Sequence, residues 1–396
     1  MFDISEIKAA ALADSARLTA WRRDFHRNPE LSYREYRTAD IIEKELKALG
    51  ITVRRVGETG VLGILKGNCG DGPAVALRAD IDALPVQETA RRDYASQTDG
   101  VMHACGHDAH TACLLGAARL LAARRDDFAG EVRFIFQPAE ELGGCAMDMI
   151  DAGALDGAVR VFGLHAASDL LSGTVGLKSG LNNASVDQFI ITFHGKSSHV
   201  STPHRGVDAL YIASQFVVAV QALATRMSNP IEPLIIGVGK FTAGTTYNAL
   251  AQMAVLEGTT RTVTVEARAW VRDKVEETAR SVAALYGGTV EFAWDDFASP
   301  LLNDPVANRE AADVAEALFG AGQVIYDRPL SLSGDNMAEF LLQTPGTYAY
   351  LGTGCPDKPG TQAPHHNGAF DIDEDALPLG AALYAACALR WLEENV

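Results

Sequence analysis

Residues 131–141, EVRFIFQPAEE, join an apolar segment to two adjacent carboxylates. Large apolar side chains dominate the first part of the stretch, which is typical of a strand buried in a sheet. Pro138 has no backbone N–H to give to a sheet ladder, so we expect the strand to end there and to leave Glu140 and Glu141 just beyond its end. The stretch therefore predicts a buried sheet with acidic side chains at one edge.

Other short apolar segments have the same character and are separated by helical patterns. The apolar segments are VLGILKG (61–67), AVALRAD (74–80) and RVFGLHA (160–166). Amphipathic helical patterns cover 5–27, 35–50 and 111–127. Strands that alternate with helices predict a largely parallel sheet covered by helices, which is an α/β domain. In such sheets, reactive residues gather where the strands end.

The pattern changes at about residue 182. From there the order is strand, helix, two strands, helix and strand, which is the βαββαβ arrangement of a compact, ferredoxin-like antiparallel sheet. After about residue 297 the α/β alternation resumes. A chain of 396 residues also exceeds the ~250–300 residues at which single cores usually stop growing. We therefore predict a catalytic domain in two parts, 1–181 and 297–396, with an inserted domain at 182–296.

Composition excludes several classes of partner. The 51 acidic and 34 basic residues give a formal charge of -17, which disfavours binding to nucleic acid because that affinity depends on a basic face. The N-terminal segment lacks the order of a secretion signal, and no segment approaches the ~20 uninterrupted apolar residues of a membrane span. The six cysteines are sparse and irregularly spaced, which does not support a disulfide framework. The sequence predicts a cytoplasmic protein without a membrane partner.

Several of the short stretches contain candidate metal ligands. Residues 102–110, MHACGHDAH, are the densest, and Gly106 can adopt turn conformations that bring the two flanking side chains together. Taken alone, Cys-Gly-His is more often a buried thiol beside a surface histidine, and a lone histidine is more often a core residue. Their joint occurrence favours a site for Zn²⁺, Mn²⁺ or Co²⁺. The candidate ligands are Cys105, His107, Glu141, His165 and His366.

The carboxylates support the same interpretation. Adjacent acidic residues usually form a solvated turn, but the apolar run before Glu140 and Glu141 indicates burial, which is costly for a carboxylate without a cation. One of the two would then bind metal, and the other would be free to handle a proton. Metal-bound histidines usually donate their second N–H to a carboxylate, and Asp82 is a candidate for that position. The alternative for Asp82 is an ion pair with Arg78.

Six motifs together resemble a known family. In order along the chain they are ADIDALPVQE (79–88), MHACGHDAHTA (102–112), FQPAEE (136–141), GLHA (163–166), GKSSHVSTPHRGVDAL (195–210) and HHNGAFDIDEDALPLGAAL (365–383). Their order and spacing resemble the M20 metallopeptidase family, in its amidohydrolase branch of hippurate hydrolases, N-acyl-amino-acid amidohydrolases and auxin-conjugate hydrolases. The resemblance covers nearly the whole chain.

The resemblance implies a zinc-peptidase-like catalytic domain that holds two divalent metal ions, Zn²⁺ or Mn²⁺, with Co²⁺ or Ni²⁺ as further options. It implies that Cys105 bridges the ions, that His107 and His165 bind one ion, and that Glu141 and His366 bind the other. On the same basis, His103 and His110 are left as loop residues or as neighbours of the ligands.

The resemblance also implies the remaining roles. Glu140 is the expected general base, and His199 is expected to stabilise the developing oxyanion. The inserted domain is expected to act as a lid and to pair subunits into a homodimer or a higher homo-oligomer. Asn248 and Arg261 are candidates to hold the substrate carboxylate, which suits the planar guanidinium fork. Arg261 is equally compatible with a surface charge at a strand end.

Three departures from the family pattern affect this transfer. The last ligand motif usually reads His-Ser-Pro or His-Asn-Pro, whereas this chain has HHNG. Counting back from Phe370 selects His366, but His365 is a close rival. The chain also has NALAQ where many members have Asn-Val-Ile-Pro, and SGDNM where they tend to have Ser-Glu-Asp-Phe. These changes concern the acyl specificity more than the chemistry.

The sequence therefore predicts a metal-dependent amidohydrolase that cleaves small N-acyl amino acids. The principal alternative is a dipeptidase or carboxypeptidase on the same scaffold. A second alternative is a binding protein that has lost catalysis, although a pure binder has no need of Glu140 beside Glu141. A third is a thiol hydrolase that uses Cys105 with His107.

Overall fold

The computed structural model describes residues 2–394. Its α-helices are α1 (Ile4–Ala13), α2 (Ser15–Arg27), α3 (Tyr36–Ala48), α4 (His107–Ala122), α5 (Ala146–Asp151), α6 (Ala209–Ala222), α7 (Val265–Leu285), α8 (Pro305–Phe319), α9 (Met337–Gln343) and α10 (Leu377–Glu394). Its strands are β1 (Thr52–Val56), β2 (Gly60–Lys66), β3 (Ala74–Asp80), β4 (Glu131–Gln137), β5 (Ala158–Leu171), β6 (Val175–Gly176), β7 (Gly180–Asn183), β8 (Val186–His194), β9 (Ile235–Ala243), β10 (Met253–Arg261), β11 (Thr289–Ala298), β12 (Leu301–Asn303), β13 (Val324–Ile325) and β14 (Gly346–Gly354).

The chain forms two compact units. The first unit comprises three segments: the chain up to Asn182, Leu302–Pro329, and the chain from Asn336 onward. The second unit comprises Asn183–Leu301 and Leu330–Asp335. The sequence prediction places the inserted domain at 182–296. Strands β7 and β12, which pair with each other, lie where the chain passes between the units.

An eight-stranded sheet forms the centre of the first unit, in the order β1-β2-β4-β3-β5-β14-β6-β13. The four strands β4, β3, β5 and β14 are parallel to one another, as predicted. Strands β1 and β2 are antiparallel to their neighbours, as β6 is to β14, and the sequence prediction did not include these pairings. The parallel centre brings the ends of β3 and β4 to one edge of the sheet.

The central strands β3 and β4 are buried along most of their length. All seven residues of β3 are buried, and the last four residues of β4 are buried as well. Helices α4 and α10 pack against each other beside this sheet, and most of their residues are buried. A parallel strand covered on both faces is mostly apolar, because it has no face toward water. The polar exceptions on β3, Arg78 and Asp80, pair with each other at 2.7 Å.

One predicted helix is divided in the structure. The pattern over 5–27 predicts a single helix, but α1 ends at Ala13 and α2 begins at Ser15. The carboxylate of Asp14, between them, accepts from Arg17 Nε at 3.3 Å and from Arg119 Nε at 2.7 Å. Short polar side chains such as Asp favour breaks of this kind, because they bond to groups outside the helix ladder.

The second unit has the predicted order βαββαβ and forms a four-stranded antiparallel sheet, in the order β11-β8-β10-β9. Alternate residues of β8, among them Phe189, Ile191 and Phe193, are buried in a core that includes residues of α6 and α7. This period of two is what a sheet with one covered face requires. The predicted α/β class with an inserted βαββαβ unit is confirmed.

Within residues 2–394, one helical segment, Ala209–Met227, is long and apolar enough to cross a membrane by length and composition. It consists of α6 and a following turn of π-helix. Ile212, Phe216 and Val220 recur on one side of the helix and are buried in the core of the second unit. That packing accounts for the apolar composition of this face.

Candidate metal centre

Cys105 and His107 lie at the start of α4, whose first residue is His107. Gly106 is the N-cap of α4 and has a φ of 94°, in the left-handed region that favours glycine. A Cβ at this position would lie 3.0 Å from the Cβ of Ala166, which is tighter than an ordinary contact. The glycine therefore permits both the turn and the close approach of β5.

The loop after β4 carries the two adjacent glutamates. Strand β4 ends at Gln137, and a short 3-10 helix contains Glu140 and Glu141. Ala139, directly before them, is fully buried and has a φ of 57°. Glu140 is 5% exposed. The backbone N–H of Glu141 donates to Asp82 Oδ2 at 3.0 Å, which joins this loop to the segment after β3.

His107 is oriented by Asp82. The Nδ1 atom of His107 lies 3.2 Å from Asp82 Oδ1, so a neutral ring donates its Nδ1–H to the carboxylate and keeps a lone pair on Nε2 for a metal. Arg78 pairs with Asp80 at 2.7 Å, whereas Asp82 also accepts from Ser32 Oγ at 2.6 Å. Asp82 thus contacts His107 and the glutamate loop.

Two buried atoms of this cluster have no hydrogen-bond partner within residues 2–394. They are His107 Nε2 and Glu141 Oε1, and they lie 3.7 Å apart. Cys105 completes a group with them in which all donor atoms lie within 4.8 Å of one another. Buried polar atoms normally have partners, and sulfur, nitrogen and oxygen donors in this combination suit a divalent transition metal. The residues therefore fit a metal ion.

His165 lies on the other side of Cys105. Its Nδ1–H donates to the carbonyl of Ala166 at 2.7 Å, and its Nε2 lies 3.4 Å from Cys105 Sγ. A backbone carbonyl therefore fixes the tautomer, as is usual for a metal-binding histidine. Cys105 is common to a group with His107 and Glu141 and to a group with His165 and His365, as a bridging ligand requires. The family resemblance instead implies that His107 shares an ion with His165, and this division of the ligands stays a prediction.

Both rival histidines after β14 approach the cluster, on different sides. The Nε2 atom of His366 lies 3.4 Å from Glu141 Oε1, and the backbone of His366 has a φ of 60°. His365 donates from Nδ1 to the carbonyl of Cys105 at 3.2 Å and shares a group of donor atoms with Cys105 and His165. The choice of His366 over His365 stays a prediction.

The sequence left His110 as a loop residue or a neighbour of the ligands; it lies on α4, beside the proposed ligand His165. Its Nε2 accepts from the N–H of Ala166 at 2.8 Å, so its Nδ1–H donates to Asp80 Oδ1 at 2.5 Å. Both ring nitrogens are thus engaged, which leaves His110 without a lone pair for a metal. Its neighbour in the motif, Asp108, accepts from the fully buried Arg22 at 2.9 Å.

The environment of Cys105 differs from that of a nucleophilic thiol. Burial, and then the neighbouring Glu141 carboxylate, raise the pKa of the Cys105 thiol well above its usual value, while His107 acts in the opposite direction. A catalytic thiol needs a lowered pKa. The surroundings thus favour a thiol that ionises by binding a cation over one that attacks a substrate on its own.

Three predicted residues belong to the second unit. The Nδ1 atom of His199 accepts from the N–H of Ser201 at 3.1 Å. The adjacent Val200 donates its N–H to the carbonyl of Asn248 at 3.1 Å, so these two segments lie side by side. Arg261 donates from Nε to the carbonyl of Leu332 at 3.1 Å and from Nη1 to the carbonyl of Thr260 at 2.9 Å. These bonds occupy two of the three guanidinium nitrogens.

The departure SGDNM places a polar side chain in the buried interior of the first unit. Asn336 is fully buried, and its Oδ1 accepts from Arg78 Nη2 at 3.0 Å and from Gln137 Nε2 at 2.8 Å. Its Nδ2 donates to the carbonyl of Gly144 at 3.0 Å. Asn336 thus connects β3 and β4 to Gly144 in the loop that follows the two glutamates. No local sequence pattern predicted this role.

Comparison with known proteins identifies the family. The model of Peptidase family M20/M25/M40 matches residues 76–390, which include all five candidate ligands. The chain belongs to this family. A relative in the M20/M25/M40 family, the N-acetyl-L-cysteine deacetylase of Bacillus subtilis, is 41% identical over 378 residues, which are 94% of this chain and 88% of the relative. The predicted family and its amidohydrolase branch are confirmed.

Two further M20/M25/M40 proteins show the range of the resemblance. Thermostable carboxypeptidase 2 of Saccharolobus solfataricus is 39% identical over 375 residues, covering 93% of this chain and 94% of the relative. The crystal structure of a dinuclear metal-binding peptidase from the M20 family of Bacillus subtilis has a TM-score of 0.81 at 36% identity, over 97% of this chain and 99% of that chain. The chain is therefore a hydrolase of this family, with candidate sites for two divalent metal ions.

Proposed function

We propose that this protein is a metal-dependent amidohydrolase that cleaves N-acyl amino acids, with acetyl, benzoyl or related acyl groups, into a carboxylic acid and a free amino acid. The observation that carries the proposal is the pair of buried atoms without a hydrogen-bond partner in the described chain, His107 Nε2 and Glu141 Oε1, beside the thiol of Cys105. Family membership and the similarity to a deacetylase of an N-acyl amino acid support it.

Two divalent ions would be held by the five ligands that the sequence predicts. The proposed ligands are Cys105 as the bridge, His107, Glu141, His165 and His366. When bound, such ions polarise a carbonyl and make water acidic enough to attack near neutral pH. We propose Zn²⁺ or Mn²⁺, and the thiolate, imidazole and carboxylate donors also accommodate Co²⁺ or Ni²⁺.

Glu140 is proposed to move the protons. It is nearly buried on the same short 3-10 helix as Glu141, so one turn of chain supplies a ligand and a base. Glu140 would remove a proton from the attacking water and later give a proton to the nitrogen of the leaving amine, as one group often serves both steps.

His199 and Asn248 are proposed to act on the substrate from the second unit. Because Nδ1 of His199 accepts the N–H of Ser201, a neutral His199 carries its proton on Nε2. An Nε2–H donor is what stabilisation of a developing oxyanion requires. Asn248 lies beside it, and we assign Asn248 and Arg261 to the substrate carboxylate. Arg261 would use its remaining nitrogen for this contact.

A dipeptidase or carboxypeptidase on the same scaffold is the second candidate. The similarity to a relative named as a thermostable carboxypeptidase favours it. The two candidates differ in what must lie on the acyl side of the scissile bond: an unblocked α-amine for a dipeptidase, and an acyl group for the amidohydrolase.

One experiment separates these candidates. The protein is stripped with chelator, refilled with Mn²⁺ or Zn²⁺, and assayed for amine release from N-acetyl and N-benzoyl amino acids beside unblocked dipeptides. The amidohydrolase releases amine from the acylated set, and only after refilling. Cleavage of the dipeptides alone would move the function to peptidase. Activity that resists the chelator would favour a thiol hydrolase, and no cleavage in any arm would favour a binding protein.

The assembly and the location are proposed on further features. Strand β9 is an edge of its sheet, and Ile235 and Phe241 on it are 40% and 41% exposed. We propose that the second unit is a lid that also pairs subunits into a homodimer or higher homo-oligomer, which light scattering will test with a charged substitution at Phe241.

The six cysteines are all free, which suits a cytoplasmic protein. Fractionation of the cell will check the location.

A further inference from the structure

Two glutamates just before α3 have different tasks in the structure. Glu30 caps the helix from outside: its carboxylate accepts from the N–H of Arg37 at 3.0 Å, and from the N–H and Oγ1 of Thr38 at 2.8 and 2.9 Å. These N–H groups belong to the first turn of α3, where donors lack partners within the helix. Because Glu30 satisfies them, the residue at the N-cap is free for another contact.

Glu35 occupies that N-cap and does not cap its own helix. It is fully buried, and its Oε1 accepts from the N–H of Ala139 at 2.8 Å and from the N–H of Tyr33 at 3.0 Å. Ala139 is 104 residues away along the chain and directly precedes Glu140. Glu35 therefore reaches from the start of α3 to the loop that carries the proposed base.

The peptide that Glu35 holds has an uncommon conformation. Ala139 has a φ of 57° and a ψ of 34°, in the left-handed region that residues with a Cβ rarely adopt. Such conformations persist only where the surroundings enforce them. On the other side of the loop, a Cβ at Gly144 would lie 2.1 Å from the Tyr33 hydroxyl and 3.1 Å from the Ala139 Cβ. The loop thus has little space in which to shift.

We propose that Glu35 is a positioning residue, which holds the Ala139 peptide in its left-handed conformation and thereby directs the carboxylate of Glu140. The inference rests on the proposed role of Glu140 as the base. The metal ligand Glu141 has a separate support, because its own N–H is bound by Asp82. Loss of Glu35 should therefore disturb the base more than the ligand.

The test compares two substitutions of nearly equal size. Glu35→Met removes the acceptor and fills the same buried space, whereas Glu35→Gln keeps an Oε1 that can accept both N–H groups. With Glu35→Met we expect kcat to fall roughly 10- to 100-fold, the range that misplacement of a catalytic group produces. We expect KM and the metal content after refilling to stay at their wild-type values. With Glu35→Gln we expect kcat to be largely retained.

A second substitution isolates the conformation of Ala139. Glycine adopts a positive φ without steric cost, so Ala139→Gly in the Glu35→Met background should restore part of the lost kcat. The matched control is Glu30→Met, which removes three hydrogen bonds from the same segment without touching Ala139. We expect this control to lower the melting temperature and leave kcat unchanged, with no restoration by Ala139→Gly.

Amide hydrogen exchange provides a readout without turnover. Exchange of the peptide covering 138–144 should accelerate in Glu35→Met and not in Glu30→Met. Should Glu35→Met fail to fold, the smaller Glu35→Ala takes its place in both measurements. Unchanged exchange, an unchanged kcat, or a loss of metal in proportion to kcat would overturn the inference. If the wild-type protein hydrolysed no N-acyl amino acid, the proposed function would fall, and the exchange data would still decide whether Glu35 holds the loop.

Discussion

Substitution of Asp82 by asparagine should weaken metal binding through the tautomer of His107. Asp82 accepts three hydrogen bonds: Oδ2 receives Ser32 Oγ–H and the N–H of Glu141, and Oδ1 receives His107 Nδ1–H. An asparagine has one acceptor oxygen and one NH₂ group. The orientation that keeps both Oδ2 bonds, at 2.6 and 3.0 Å, directs the NH₂ group at His107 Nδ1.

The size of the effect follows from that geometry. Facing a donor, Nδ1 of His107 must become an acceptor, so the ring proton moves to Nε2. The lone pair that faces Glu141 Oε1 is then lost. Loss of such a carboxylate partner weakens metal binding roughly 10- to 100-fold, which is about 1.4 to 2.7 kcal/mol. Because the asparagine also reverses the tautomer, we expect the upper end of this range for Asp82→Asn.

The assay is a competitive titration of the stripped protein with Mn²⁺ or Zn²⁺ against a chelator of known affinity. Ser32→Ala is the matched control, because it removes one bond to the same carboxylate and leaves the His107 contact in place. We expect this control to change the affinity less than about 10-fold. Circular dichroism melts confirm that both variants are folded. Wild-type affinity in Asp82→Asn, or equal losses in the two variants, would refute the tautomer argument.

Three other outcomes are expected. Glu140→Gln should abolish amine release while metal content stays at the wild-type value, and substantial remaining turnover would contradict its role as the base. His366→Ala should lose more metal than His365→Ala, measured by elemental analysis, and the reverse order would assign the ligand to His365. Burial, and then Asp82, raise the pKa of Glu35 from 4.5 to about 7. Since the unfolded chain releases this proton at lower pH, the wild type loses stability as pH rises from 4.5 to about 7, so Glu35→Gln should gain stability relative to it across that window. Melting temperatures whose difference does not change with pH would contradict this.

Local patterns were sufficient for the parts of the fold that depend on local burial. The apolar run over 131–137 predicted a buried strand, and Pro138 predicted its end, which the structure places at Gln137. The alternation over 182–296 predicted the βαββαβ unit in the same way. The antiparallel pairing of β1 and β2 was not predicted, because strand pairing depends on contacts between distant segments rather than on the period of side chains.

The same distinction applies to the candidate site. The ligand types could be proposed from the sequence, since cysteine, histidine and glutamate recur together in several short motifs. Among the supporting residues, Asp82 was proposed from the sequence, and it contacts His107. Glu35, Asn336 and Arg22 could not be proposed, because their partners are more than 80 residues away. A buried glutamate or arginine is recognisable only by the group that it satisfies, and no periodicity encodes that group.

The two adjacent glutamates have separate supports, and this separation suits the proposed chemistry. A ligand must hold its oxygen at a fixed place beside a cation, and Asp82 fixes the backbone of Glu141 together with the ring of His107. A base must reach the proton of the attacking water, and Glu35 fixes the peptide before Glu140 without contacting a ligand through any bond described above. Variants at Asp82 and Glu35 should therefore differ in kind, since the first lowers metal affinity and the second lowers turnover. If both variants lost metal affinity and turnover to the same extent, Glu140 and Glu141 would share one support rather than two.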